Sequence, residues 1–408
     1  MNSTVSPPRT RWTQGKRGVG VIFCVLCVLC GKPDPGVAQE PGAPQTVSTA
    51  ALEAAIDKLG DLDYSTRTAA SQAVRRTAPA QAVPALIHAV SDHPDLYVRY
   101  RALVLLTGFN NPRAKDSMRE SLASPNDRLR AVAYSFFEHA PDPLMIPAFL
   151  DALEKELAEF VRPALVRALA AQGSDARVQP ALVREAGRGQ DFFRSAVIEA
   201  LGDYKAPYAF DAISAIAKLE GPLQVDAAIA LGKIGDKRAL ETLAGLQRSA
   251  PRESQPAIAA AICLIGVNCE AHENYLIETL KFSDKNPGFQ PLLRAAAAGL
   301  GALAVAGHAE AVDALFEIGI PSRDPARAPI ALAVATVALR STRQMLAVLQ
   351  RHPDREHAIE LVGEGFDMLE EDLEKERFFT MVRATYWQSA EGSPERQLMQ
   401  TLIGKLDF

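Results

Sequence analysis

Three groups of residues are spaced so that they could do chemistry. Cys24, Cys27 and Cys30 form a C-x-x-C-x-x-C run, and thiolates at such spacing can share a metal ion. They lie inside the apolar stretch "GVGVIFCVLCVLCG" (18–31) with no histidine or carboxylate beside them, so no metal site is expected there. His352 and His357, near Asp354, Glu356 and Glu360, offer nitrogen and oxygen ligands. The same residues also read as a solvated helix start, which is the reading adopted. "LGKIGDKRAL" (231–240) sets two glycines beside lysine and arginine, as a phosphate loop would. Such a loop needs a preceding strand, and no strand pattern is visible. The G-x-S-x-G, H-E-x-x-H and G-x-x-x-x-G-K-[ST] motifs are absent. No catalytic residue, cofactor-binding residue or metal ligand is assigned, no cofactor is expected, and the chain is read as non-enzymatic.

The elements that must position any site come from a repeat. The 408 residues are 48% hydrophobic but only 6% aromatic, a balance that suits closely packed helices. Arg67, Arg99, Arg130, Arg162, Arg194 and Asp226 follow one another at steps of 32, 31, 32, 32 and 32. Around most anchors the positions −1, +2 and +6 hold small or apolar residues, such as Val161, Ala164 and Ala168; Thr66 and Arg101 are the exceptions. These positions share one helix face, and small side chains there let a neighbour approach. A fixed period near 32 with helical phasing is the mark of a stacked solenoid. In this register Gly232 lies on a packed helix face and Gly235 ends the helix. "AVPALIHAV" (82–90), "MIPAFLDAL" (145–153) and "VQPALVREA" (178–186) supply the preceding helices, with proline near their starts.

At these residues "VDAAIALGKIGDKRALETL" (225–243), "YVRYRALVLL" and "FFRSAVIEALGD" resemble HEAT repeats of the short bacterial, phycobilisome-lyase-like type. The resemblance implies an all-α superhelix, here of about ten or eleven antiparallel helix pairs, and no particular activity. It also implies that the anchor arginines pair with nearby aspartates in a ladder, as Asp63–Arg67, Asp95–Arg99 and Asp191–Arg194 could. The di-iron hydroxylases of this class resemble one another in several His-Glu dipeptides, whereas this chain has only His272-Glu273.

Residues 1–38 read as a secretory signal peptide: Arg9, Arg11, Lys16 and Arg17, an apolar core, then small residues. Cleavage is placed after Ala38, and the expected location is periplasmic or extracellular. The alternative is a lipoprotein anchored at Cys30, so membrane attachment would run through the N-terminus alone. Residues 1–38 hold five basic groups and one acidic group, so 44 basic and 49 acidic residues become 39 and 48, a charge of −9. An acidic exported chain excludes nucleic acid as a partner. Residues 39–49 are expected to be a flexible leader, 50–340 the HEAT-repeat solenoid, and 341–408 degenerate repeats ending in a cap. The acidic run "DMLEEDLEKE" (367–376) is expected on a solvated helix face, and Phe378, Phe379, Tyr386 and Trp387 over the last repeat.

A protein or peptide partner is expected on the inner curve, with a lyase-like or enzyme-accessory protein holding a small molecule as the alternative. Offsets +1, +5 and +8 oppose the buried face, and they point to Tyr100, Val104, Ser135, Arg167 and Glu199 as the partner-binding set, with Tyr100 and Arg167 as anchors. Cys263 and Cys269 stand across a helix end, where either a short-loop disulfide or one buried and one free thiol is compatible with the spacing.

Overall fold

A computed structural model describes residues 44–406 and 408; the expected signal peptide, its cysteines and the Cys30 anchor lie outside these residues. Among the described residues there are twenty-two α-helices, and a Gln45–Thr77 bridge is the only β-pairing. The first pairs are Thr49–Asp57 with Tyr64–Arg75 (α1, α2), Pro79–Asp92 with Leu96–Thr107 (α3, α4), and Ala114–Ser121 with Asp127–His139 (α5, α6). Next come Ile146–Lys155 with Arg162–Ala170 (α7, α8), Val178–Ala186 with Asp191–Asp203 (α9, α10), and Phe210–Ala217 with Gln224–Ile234 (α11, α12). Then follow Ala239–Ser249 with Gln255–Leu264 (α13, α14), Cys269–Asp284 with Gln290–Val305 (α15, α16), and Ala309–Gly319 with Arg327–Arg340 (α17, α18). Thr342–Arg351 with Arg355–Asp367 (α19, α20) and Asp372–Gln388 with Pro394–Lys405 (α21, α22) complete eleven pairs.

The even-numbered helices α2–α20 form an inner row, each packed on the next, and odd-numbered helices lie outside them. Small residues set the spacing of this row. A Cβ added to Gly232 would stand 2.5 Å from the Ala261 Cα, so α12 and α14 meet with backbone almost against side-chain-free backbone. Gly235, at φ +79°, then closes α12 in the left-handed conformation that glycine adopts without steric cost. Asp236 starts the next turn by accepting from the Arg238 amide. The glycines of "LGKIGDKRAL" are therefore packing and punctuation. Gly232→Val should cost about 1–3 kcal/mol through overpacking, read as a lower urea midpoint; an unchanged midpoint would show that α12 and α14 can part freely.

The anchor arginines do a different job from the aspartate ladder. Arg67 donates to the carbonyls of Asp61 and Leu62, Arg130 to Ser124, and Arg194 to Ala186. Farther along the row, Arg327 repeats the motif on Gly319 and Ile320. Each thus satisfies acceptors that the preceding turn or helix end leaves without intrahelical partners. The aspartates instead cap their own helices: Asp63 accepts from the Thr66 amide and Asp95 from the Tyr97 amide. Asp191 and Arg194 do meet, at 3.0 Å.

Two further expectations are corrected. From Gln45 onward the leader is held in place: Gln45 exchanges backbone hydrogen bonds with Arg76 and Ala78, and Val47 pairs with the Gln81 side chain. And the C-terminal pair does more than cap. The row curves until α21 reaches α4 and α6 while also touching α18, so the chain's end packs against its beginning. The second half of the acidic run is consequently interior. Glu376 is 1% exposed and accepts from Arg75 (3.0 Å) and Arg383 (3.1 Å); Asp372 accepts from Arg101 (2.8 Å) and from the Tyr100 hydroxyl; Glu374 meets His139. Phe378 and Tyr386 are buried in the C-terminal core, Phe379 stacks on Phe408, and Trp387 remains half exposed.

Candidate functional site

α21 packs over the concave face of the first repeats, leaving a cavity of about 430 Å³ beside α2 and α4, and the inner curve is also open farther along. There, α10, α12, α14, α16 and α18 line a cavity of about 610 Å³. Its floor is set by α16, whose Ala295, Ala298, Gly299 and Ala302 fall at helical spacing on one face. Residues this small leave room that larger side chains would fill. Val225 and Ile229 from α12, Leu332 from α18 and Met368 beyond α20 add apolar walls. Leu332 and Met368 are 39% and 43% exposed, so apolar surface is presented to solvent.

The rim is charged. Glu199, Asp203, Asp226, Lys233, Arg294 and Arg340 border the cavity. Burial pushes the Asp226 carboxyl above the usual range, and a 2.6 Å hydrogen bond from the Ser195 hydroxyl works against that shift. At one end the rim runs into an ion network. Asp203 accepts from Lys233 (2.6 Å) and Arg167 (2.9 Å), and Arg167 also donates to Glu138 (2.9 Å), which receives the Tyr204 hydroxyl as well. Burial works against the Arg167 charge, yet Glu138 and Asp203 outweigh it and hold the proton more firmly than in water.

Of the five residues placed on the partner surface, the structure brings only Glu199 to this larger cavity. Tyr100 and Val104 are 7% and 1% exposed, and Tyr100 is bonded to Asp372 of α21. Arg167 is consumed by the ion network, and Ser135 is half-buried on α6. The physical reason is twofold: the returning α21 occupies that stretch of the curve, and the exposed phase is rotated. On α12 the cavity is lined at the anchor and at +3, +4 and +7 (Asp226, Ile229, Ala230, Lys233), not at +1, +5 and +8. The break of the arginine series at Asp226 was the one local signal of this surface.

The histidine group at 352–360 is a helix start, as its sequence suggests. Asp354 caps α20 and accepts from His357 (2.8 Å), while Lys405 bridges Glu356 and Glu360. Cys263 and Cys269 are joined by a disulfide, with Cα atoms 4.1 Å apart.

Residues 52–136 match the family profile of HEAT repeats, and the same paired-helix architecture continues to residue 405. The chain is an α-solenoid of paired helices whose residues 52–136 match the HEAT-repeat profile. No curated protein matches it. Solved structures similar to it include YibA of E. coli, 16% identical, covering 54% of this chain and 83% of that one at a TM-score of 0.40. Importin beta is 14% identical over 87% of this chain and 55% of its own, at a TM-score of 0.40. The complex of CpcE and CpcF of phycocyanin lyase from Nostoc sp. PCC7120 is 19% identical, over 83% and 100%, at 0.28.

Proposed function

We propose that this protein is an exported, non-enzymatic scaffold that holds a protein or peptide segment in the concave groove between α10 and α18. The observation that supports this most is the groove's composition: an apolar floor of alanine and glycine, exposed Leu332 and Met368, and a rim bearing both signs of charge. An apolar strip inside a polar rim is how protein interfaces are built. The mixed rim sets the register of a segment and disfavours a uniformly charged partner. A second reading rests on one observation. A volume of about 610 Å³ lies within the range of roughly 300–1,000 Å³ that small-molecule pockets occupy.

A photo-crosslinking residue at Leu332 separates the two. The expected result in envelope extracts is a discrete polypeptide adduct at 332, with none from a probe at the outer, 83% exposed Leu144. Ala302→Trp, which fills the floor, should abolish it. Adducts equal at both positions would sink the groove, and a co-purifying small molecule lost in Ala302→Trp would support the second reading instead.

A further inference from the structure

Outside the groove, one cluster of metal-binding side chains is built by three separate elements. Cys263 ends α14, Cys269 opens α15, and His308 immediately precedes α17. The Cys263 and Cys269 sulfurs and a ring nitrogen of His308 all lie within 4.8 Å of one another. One helical turn past Cys269, Glu273 borders this group on its His308 side, with Oε2 3.6 Å from His308 Nδ1. Glu273 is 6% exposed, and its Oε1 is buried without a hydrogen-bond partner. A buried carboxylate oxygen in that state costs free energy unless a cation or donor completes it. The nearby donors offer no lysine or arginine for it, only two sulfurs and an imidazole.

We propose that the dithiol form of this cluster binds one zinc-class divalent ion, held by Cys263, Cys269, His308 and Glu273. Two sulfurs, one imidazole and one carboxylate are the donor set of a tetrahedral zinc site. Zinc–sulfur and zinc–nitrogen bonds of about 2.3 and 2.05 Å set a tetrahedral S···N edge of about 3.6 Å. The Cys269 Sγ–His308 Nδ1 separation is 3.7 Å. The corresponding N···O edge is about 3.4 Å, near the 3.6 Å between His308 and Glu273. In the structure the sulfurs are bonded to each other, so the two states exclude one another. A dithiol reductant breaks the Sγ–Sγ bond: two electrons and two protons pass to the protein sulfurs, and the reductant's own sulfurs become joined. The ion then displaces the two thiol protons to solvent. The cluster links the α14–α15 turn to the next pair, so the ion would hold the same turn that the disulfide holds.

The test uses the full chain with Cys24, Cys27 and Cys30 replaced by serine, reduced, freed of reductant under argon and titrated with Co²⁺. One equivalent should bind with a near-ultraviolet sulfur-to-cobalt charge-transfer band, which Zn²⁺ bleaches and the oxidised chain never shows. His308→Ala and the nearly isosteric Glu273→Gln should each weaken binding at least about tenfold, with far-ultraviolet circular dichroism unchanged. Reduced protein that takes up no cobalt, or takes it up without a thiolate band, overturns the proposal. So does undiminished affinity in both variants.

Discussion

Replacing Glu376 by alanine should cost about 3–5 kcal/mol of stability, the largest loss expected from any single change in the closure between the chain's two ends. Glu376 is 1% exposed, and the Arg75 side chain that it neutralises is 6% exposed, so truncation leaves a cation buried without its partner. Burial alone would raise the Glu376 carboxyl, but Arg75 and Arg383 outweigh it and hold it below the ordinary range. Arg75 is also placed against Phe379, 5.4 Å from the ring, so loss of the pair loosens the aromatic end of α21 as well. Urea unfolding followed by the fluorescence of Trp387, next to the buried Tyr386, reads the effect at the right place. Arg75→Met with Glu376→Met separates charge from contact. Two apolar chains of similar volume should recover most of the loss, because the desolvation cost disappears along with the attraction. If Glu376→Ala unfolds with the wild-type midpoint, α21 is not clamped onto α2 in solution and the open inner curve extends into the first repeats.

What could be read from the sequence follows from how far each interaction reaches along the chain. The period of 32, the apolar positions −1, +2 and +6, and the helix-ending Gly235 are all encoded within one repeat. Accordingly the helix pairs, their number and the role of "LGKIGDKRAL" are legible. The closure is not. Arg75 and Glu376 stand 301 residues apart, and Arg101 and Asp372 stand 271 apart. Seen locally, "DMLEEDLEKE" has the composition of a solvated surface, and only the curvature summed over ten pairs carries its second half indoors. Tyr100, Val104 and Arg167 were misplaced for the same reason. They do lie toward the inner curve, but the inner curve is occupied. The groove was hidden more subtly. Its floor is a run of alanines and glycines in α16, a pattern identical to that of a tightly packed helix face, and Gly301 of the same helix does pack, with Ala333 near it. His308 was likewise invisible as a neighbour of the cysteines, since it lies 39 residues from Cys269 and is brought there only by stacking of successive pairs.

The closure should also make stability fall as pH rises from about 5 to 8, and Glu374 is the reason. It sits on α21 among buried groups, facing His139, with Glu138, Arg340, Arg167 and Arg377 around it. Burial pushes its carboxyl up, Arg340 pulls it down, Glu138 pushes it up again, and the balance leaves it at about 7 against an ordinary 4.5. The sign follows from linkage. A folded-state pKa above the unfolded one means that the native protein binds more protons between those values. The stabilisation is therefore complete below about 4.5 and is lost as pH climbs through about 7. At 1.36 kcal/mol per pKa unit the limb is worth up to about 3 kcal/mol. Asp372 and Glu376 act in the opposite sense, since both are held below the ordinary carboxylate range by arginines despite burial; their contribution is lost as pH falls into the acid range. Glu374→Gln keeps the shape and fixes the neutral form. Urea midpoints at pH 5.5 should then nearly coincide for wild type and variant, while at pH 8 the variant should be the more stable of the two. Parallel pH profiles would show that Glu374 titrates in the folded protein as it does in the unfolded chain, and that α21 rests in a wetter interior than its packing against α4 and α6 implies.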